Sequence, residues 1–252
     1  YDTEEDRRVG DRVFFPVWRG KKAWAYFQKL NSLEEGVLCE GSPCEVFGNT
    51  IGFFVADKFF ITLHEKGLAW EQKIIDLFNN EQYRPEYLKI NPRGRVPALV
   101  TDSGPIVENT AILDYIASKY APQLMPKDPD LRARAISLMA WFSNWVHPSF
   151  THISRPERFT DDPAIHDNLK AKGRSNFWAA LQEIDGIIGS KPWILGDQFS
   201  VVDAYALVFY GWGKRIGLPI TELKNYTAWA GRMLARPAVR RVLEREQNVL
   251  VQ

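Results

Sequence analysis

Three prolines within eight residues, Pro122-Gln123-Leu124-Met125-Pro126-Lys127-Asp128-Pro129, divide the chain into two stretches with different hydrophobic periods. Proline lacks a backbone donor and pushes the residue before it out of the helical region, so a stretch this dense in proline reads as a linker. Ahead of it, short runs of strand character alternate with helical ones. Strands are predicted at 45–47, 69–77, 98–101 and 105–107, and helices at 57–66, 84–90 and 108–120. The tight turn Asp102-Ser103-Gly104 joins the last two strands. That order opens with a βαβ unit and closes with a hairpin and a helix, an arrangement that buries a mixed sheet between helices.

Beyond the linker every periodic segment is helical. Leu131, Ala135, Leu138, Phe142 and Trp145 form an apolar stripe, which His147-Pro148 should break or kink. Residues 167–189 repeat Leu169, Phe177, Leu181, Ile184 and Ile188 at helical spacing. Ser200 and Asp203 have the spacing of a capping box, and the helix they open is almost wholly apolar, so it should be central and buried. Later helices are predicted at 225–234 and 238–245. The domain reading is an N-terminal extension of unknown role over 1–43, an α/β domain over 44–121, a linker over 122–130 and an all-helical domain over 131–252.

Composition narrows the function class. The net charge is +1, so no global field attracts nucleic acid or a membrane surface. No run approaches the ~20 apolar residues that span a bilayer. The two cysteines, Cys39 and Cys44, are not spaced as C-x-x-C and have no second pair nearby, which argues against a metal site. Two free thiols suit a reducing compartment, so a cytoplasmic location is expected, and no charged-then-apolar leader is evident. Of the aromatic residues crowding the second half, most should be core, and some should line an apolar ligand pocket.

Two features converge on one kind of ligand. Arg95-Val96-Pro97 stands directly before a strand. A cis bond at Val96–Pro97 would leave the Val96 N–H and C=O free to pair with an extended peptide as a short added strand, although an X-Pro step before a strand also serves as a plain turn. Glu108-Asn109 opens a helix, where unpaired N–H groups suit a carboxylate while Glu108 could hold an ammonium. In a purely structural role Glu108 would favour the helix dipole and Asn109 would cap. The hairpin between them brings both to the same edge of the sheet, so a peptide with an amino-acid head would bridge them.

These residues carry a resemblance. Asn91-Pro92-Arg93-Gly94-Arg95-Val96-Pro97-Ala98-Leu99, Ile106-Val107-Glu108-Asn109-Thr110-Ala111-Ile112, and the run Trp193-Ile194-Leu195-Gly196-Asp197-Gln198-Phe199-Ser200-Val201-Val202-Asp203-Ala204-Tyr205 together resemble the glutathione transferase superfamily. His147-x-x-Phe150 followed by Arg155-Pro156 is similar to the bacterial beta class. The resemblance implies a thioredoxin-like N-terminal domain, an all-α C-terminal domain and homodimerisation. It also implies glutathione as co-substrate and a small apolar electrophile as second substrate. By matching positions, Val96 and Pro97 would meet the cysteinyl backbone, Glu108 and Asn109 the γ-glutamyl end, and Arg95 a further polar contact. Trp141, Trp145 and His147 would form the substrate wall, His147 because it matches a histidine that faces the active site.

One element of the pattern is missing. The family activates the thiol with a Tyr, Ser or Cys near the start of the first helix, and the matching positions here are Val55 and Ala56. Phe47, near where a phenol would stand, also lacks a hydroxyl. Three options remain open: Thr50 or Asn49 serves, backbone N–H groups serve, or the protein binds glutathione without conjugating it. The expected activity is therefore conjugation to an electrophilic apolar substrate, as in detoxification. The alternatives are a non-catalytic binding protein of the same fold and a glutathione-dependent thiol reductase, for which Cys44 is the nearby thiol.

Overall fold

The computed structural model describes residues 12–17, 61–62, 71–76, 79–101, 103–245 and 248–252. The described residues up to Ile112, apart from Ile61 and Thr62, belong to one compact unit. Ile61, Thr62 and residues from Leu113 to Gln252 belong to a second.

The first unit is built on a four-stranded sheet in the order β2-β1-β3-β4. Strand β1 is Arg12–Val17, β2 Glu71–Asp76, β3 Ala98–Thr101 and β4 Gly104–Val107. β1 and β2 run parallel from Arg12↔Glu71 to Val17↔Asp76, while β3 lies antiparallel to β1 from Arg12↔Val100 to Phe14↔Ala98. β3 and β4 form the antiparallel hairpin, Ala98↔Val107 to Thr101↔Gly104. The Thr101 hydroxyl ties the turn, accepting from the Ser103 N–H at 3.2 Å and donating to the Gly104 carbonyl at 2.8 Å. This mixed sheet with its parallel pair is the thioredoxin-like half expected from the sequence.

The first strand of the sheet differs from expectation. Residues 45–47 lie outside the described residues, and the strand that pairs with both β2 and β3 is Arg12–Val17, inside the stretch the sequence reading left as an extension. Val13-Phe14-Phe15 has the composition of a strand, but Pro16 reads as a breaker. The pairing resolves this: β3 stops opposite Phe14, so Pro16 lies where β1 has a single partner and a missing donor is tolerated. Of the helix predicted over 57–66, only Ile61 and Thr62 are described, both helical and buried.

Helix α1 is Pro85–Leu88 and α2 is Asn109–Tyr120, the latter shared between the two units. The second unit continues with α3 Pro129–Trp141, α4 His147–Ser154, α5 His166–Ile188, α6 Val201–Arg215, α7 Lys224–Leu234 and α8 Pro237–Arg245. α3 starts with Pro129 at its first position and Asp128 as cap, whose carboxylate accepts from the Leu131 N–H at 2.8 Å. His147-Pro148 does not break the chain of turns. Pro148 cannot donate to the carbonyl four residues back and its ring would press on it. The helix therefore widens into one π turn over Phe142–Val146, closed by the His147 N–H on the Phe142 carbonyl, and then resumes as α4.

The core of this unit is α6. Every residue from Val201 to Gly213 is buried, and Tyr205, Phe209 and Trp212 interlock with Phe142, Phe150 and Phe177. Its capping box is present, and Asp203 does more than cap. Its two carboxylate oxygens accept from the Ile194 N–H, the Ser200 N–H, the Ser200 hydroxyl and the Trp229 indole N–H, each at 2.9 Å. Burial pushes this carboxyl up, and the four donors pull against that.

Candidate functional site

The loop between α1 and β3 is built around one carbonyl. Pro85 opens α1, which buries Tyr87, and Asn91, also buried, follows four residues later in the loop beyond the helix. The Tyr87 hydroxyl donates to the Arg95 carbonyl at 2.5 Å, and the Asn91 amide donates to the same oxygen at 2.7 Å. Asn91 also accepts from the Arg93 N–H at 3.2 Å, and its carbonyl accepts from the Gly94 N–H at 3.0 Å. Burial pushes the Tyr87 phenol well above its ordinary range, against the pull of Asn91, so it remains a donor at any physiological pH. Gly94 adopts a left-handed backbone at φ 59° and passes beneath the Tyr83 ring, where a Cβ would come within 2.6 Å.

This bracing delivers Val96 and Pro97 to the start of β3. The Val96–Pro97 bond is cis, and among the described residues no backbone hydrogen bond engages Val96. Pro97 is buried and Val96 half-buried. Since Ala98 pairs with Val107, Val96 and Glu108 both stand just beyond the paired end of the hairpin.

Glu108 has φ 74°, a left-handed conformation that a residue bearing a Cβ adopts only at a cost of about 1–3 kcal/mol. Its carbonyl accepts the first helical bond of α2, from the Ile112 N–H at 3.0 Å, so it holds the capping position ahead of Asn109. The Glu108 side chain is exposed and faces Arg93, with Nη1 to Oε1 at 3.6 Å. Arg95 is exposed on the same loop. The Glu108 carboxylate and the Arg93 guanidinium thus face each other at the end of the hairpin where Val96 makes no backbone hydrogen bond among the described residues, an arrangement suited to a short zwitterionic peptide.

The remaining expected residues are placed elsewhere or not described. Thr50 and Asn49 lie outside the described residues, as do Val55, Ala56 and Cys44. In the second unit, Trp141 ends α3 half-buried with its ring 5.5 Å from that of Phe142. Trp145 sits in the π turn and is 49% exposed. His147 begins α4, its ring edge-on to Trp212 at 5.0 Å. A groove of about 510 Å³ in this unit, floored by Leu131, Leu138, Ile187, Ile194 and Leu195, includes none of these three. Among the described residues no cluster of His, Cys, Asp and Glu could hold a metal, and no helix is long and apolar enough to cross a membrane.

Three contributors escaped the sequence reading: Tyr87, Asn91 and Arg93. The four-residue spacing of Tyr87 and Asn91, with Asn91 before a proline turn, was the available signal for the first two. Nothing local marks Arg93, whose partner lies across the hairpin.

The chain is similar to known proteins over most of its length. Residues 54–124 match the model of the glutathione S-transferase N-terminal domain, and residues 161–245 match that of the glutathione S-transferase C-terminal domain. Glutathione S-transferase GstA of Escherichia coli O157:H7 is 29% identical over 190 residues, covering 74% of this chain and 91% of its own. A sphingomonad glutathione S-transferase, solved in complex with glutathione, is 31% identical with a TM-score of 0.64, covering 74% of this chain and 92% of its own. The bacterial beta class glutathione S-transferase of Sphingomonas chungbukensis is also 31% identical, with a TM-score of 0.66 over 77% of this chain and 96% of its own. With both domain models matched in order and the thioredoxin-like sheet followed by a helical bundle, the chain belongs to the glutathione S-transferase superfamily.

Proposed function

We propose that the protein is a glutathione transferase that joins the thiol of glutathione to an electrophilic carbon of a small apolar substrate. The observation that carries this reading is that Val96, without a backbone hydrogen bond among the described residues, and Glu108, held in a left-handed conformation, stand at the same end of the hairpin. The glutathione complex of a 31% identical relative supports the ligand's identity.

In this reading the cysteinyl backbone of glutathione lies along Val96, beside Arg95 and Pro97, and the γ-glutamyl ammonium meets Glu108 at the start of α2, next to Asn109. The thiol releases its proton to solvent, the thiolate forms the carbon–sulfur bond, and the electrophile's leaving group departs with its electron pair. Position and a stabilised thiolate are what the protein contributes. Trp141, Trp145 and His147 form the wall for the apolar partner, and Thr50 or Asn49 donates to the sulfur. The working form is a cytoplasmic homodimer acting in detoxification, with a glutathione-binding domain over 44–121 to whose sheet Arg12–Val17 adds a strand, a linker over 122–130 and a helical domain over 131–252.

A carrier that binds glutathione without conjugating it is favoured by one feature of the sequence: the positions that the family resemblance assigns to the thiol-activating group are Val55 and Ala56, which carry neither hydroxyl nor thiol. Following thiolate absorbance of bound glutathione against pH separates the two. A transferase lowers the thiol pKa below its value in solution, because any donor to the sulfur favours the charged form. An unshifted titration identifies the carrier.

A further inference from the structure

We propose that Arg93 is an exchangeable latch that selects a ligand head bearing both an ammonium and a carboxylate. The inference rests on the glutathione reading and gives a role to Arg93, which the motif Asn91–Leu99 contains without assigning it one.

Arg93 and Glu108 face each other at 3.6 Å, and their side chains are 63% and 68% exposed. An exposed pair at that separation is weak, and an incoming ion can displace it without disturbing the fold. The backbone beneath it is firm. The Arg93 N–H is held by Asn91, and Asn91 and Tyr87 together fix the Arg95 carbonyl two residues later. The guanidinium therefore pivots on a fixed stem.

In the free protein Arg93 occupies the carboxylate that an ammonium would need. An α-amino acid head carries an ammonium and a carboxylate on one carbon. When its ammonium replaces Arg93 at Glu108, its carboxylate arrives beside the guanidinium just released, and the four charges alternate. A guanidinium binds a carboxylate through two parallel donors, which gives the contact direction as well as charge. A bare amine would displace Arg93 and leave it nothing to bind. A bare carboxylate would find Arg93 already engaged. Only a head with both groups exchanges one ion pair for two, so the latch discriminates between ligands as well as adding affinity.

Calorimetry with two ligands tests this. One is glutathione; the other is its analogue lacking the α-carboxylate, 4-aminobutanoyl-cysteinyl-glycine. The wild-type protein is expected to prefer glutathione roughly tenfold. Arg93→Gln should lose roughly that factor for glutathione while holding the analogue within about twofold, and Arg93→Lys should recover part of the preference. Equal weakening of both ligands by Arg93→Gln, or weakening of neither, overturns the latch while leaving glutathione binding standing. No glutathione binding by the wild-type protein overturns the functional reading and the latch together. Since the Arg93 side chain is exposed, thermal melts of both variants should match the wild type, and a lowered melt would assign Arg93 a structural role instead.

Discussion

Glu108 concentrates the tension between stability and ligand binding. Its φ of 74° puts a Cβ where glycine is at ease, so the residue costs folding free energy in order to place a carboxylate beside Val96. Two substitutions separate these effects. Glu108→Ala removes the carboxylate and keeps the strained Cβ, whereas Glu108→Gly removes both. The glycine variant should therefore unfold at a higher denaturant midpoint than the alanine variant, by about 1 kcal/mol in stability. Equal midpoints would show that the left-handed turn imposes no strain. The placing of Val96 and Pro97 ahead of β3 and of Glu108 and Asn109 at the head of α2 was legible in the sequence because a proline before a strand and an acid before a helix are local signals. The ion pair of Arg93 was not, because it spans fifteen positions of chain and depends on where the hairpin returns. The double bracing of the Arg95 carbonyl was hidden for a related reason: it requires α1 to end where Tyr87 and Asn91 face the same oxygen.

Among the elements, α5 offers an internal comparison. Gly173 lets α4 approach closely: a Cβ there would come within 2.7 Å of the His152 Cβ and 2.8 Å of the Ser149 carbonyl. Gly186, on the same helix, has nothing within 4 Å of the corresponding point. Gly173→Ala should lose about 1–3 kcal/mol through overpacking, while Gly186→Ala should gain about 1 kcal/mol from helix propensity. Thermal or denaturant unfolding checks both, and similar effects at the two sites would contradict the packing of α4 on α5. Helices were read well from sequence because their apolar periods are local, and the capping box at Ser200 and Asp203 is a four-residue pattern. The π turn was not legible: Pro148 signals that a bond is lost, but whether the chain breaks, kinks or widens depends on packing at Phe142 and Val146, both buried. Strand β1 was missed because its partners β2 and β3 lie more than fifty residues away and Pro16 resembles a break until the short reach of β3 is known.

For the molecule as a whole, every described strand precedes the proline-dense stretch and only helices follow it, while the two compact units divide earlier, between Ile112 and Leu113 within α2. In the second unit, Asp203 joins the segment at Ile194, the start of α6 and Trp229 of α7 through one buried carboxylate, which explains why a single short motif accompanies an entire helical domain. The first unit presents, at the end of one hairpin, the Glu108 carboxylate facing Arg93 and a Val96 backbone without a hydrogen bond among the described residues. Function follows if a peptide with an amino-acid head lies there. Titrating glutathione into the full chain and into Glu108→Ala by calorimetry tests this directly. A saturable heat is expected from the wild type, with binding weakened by about 1.5–3 kcal/mol in the variant as the ammonium loses its partner. The absence of heat with the wild type, or an affinity untouched by loss of the carboxylate, would contradict it.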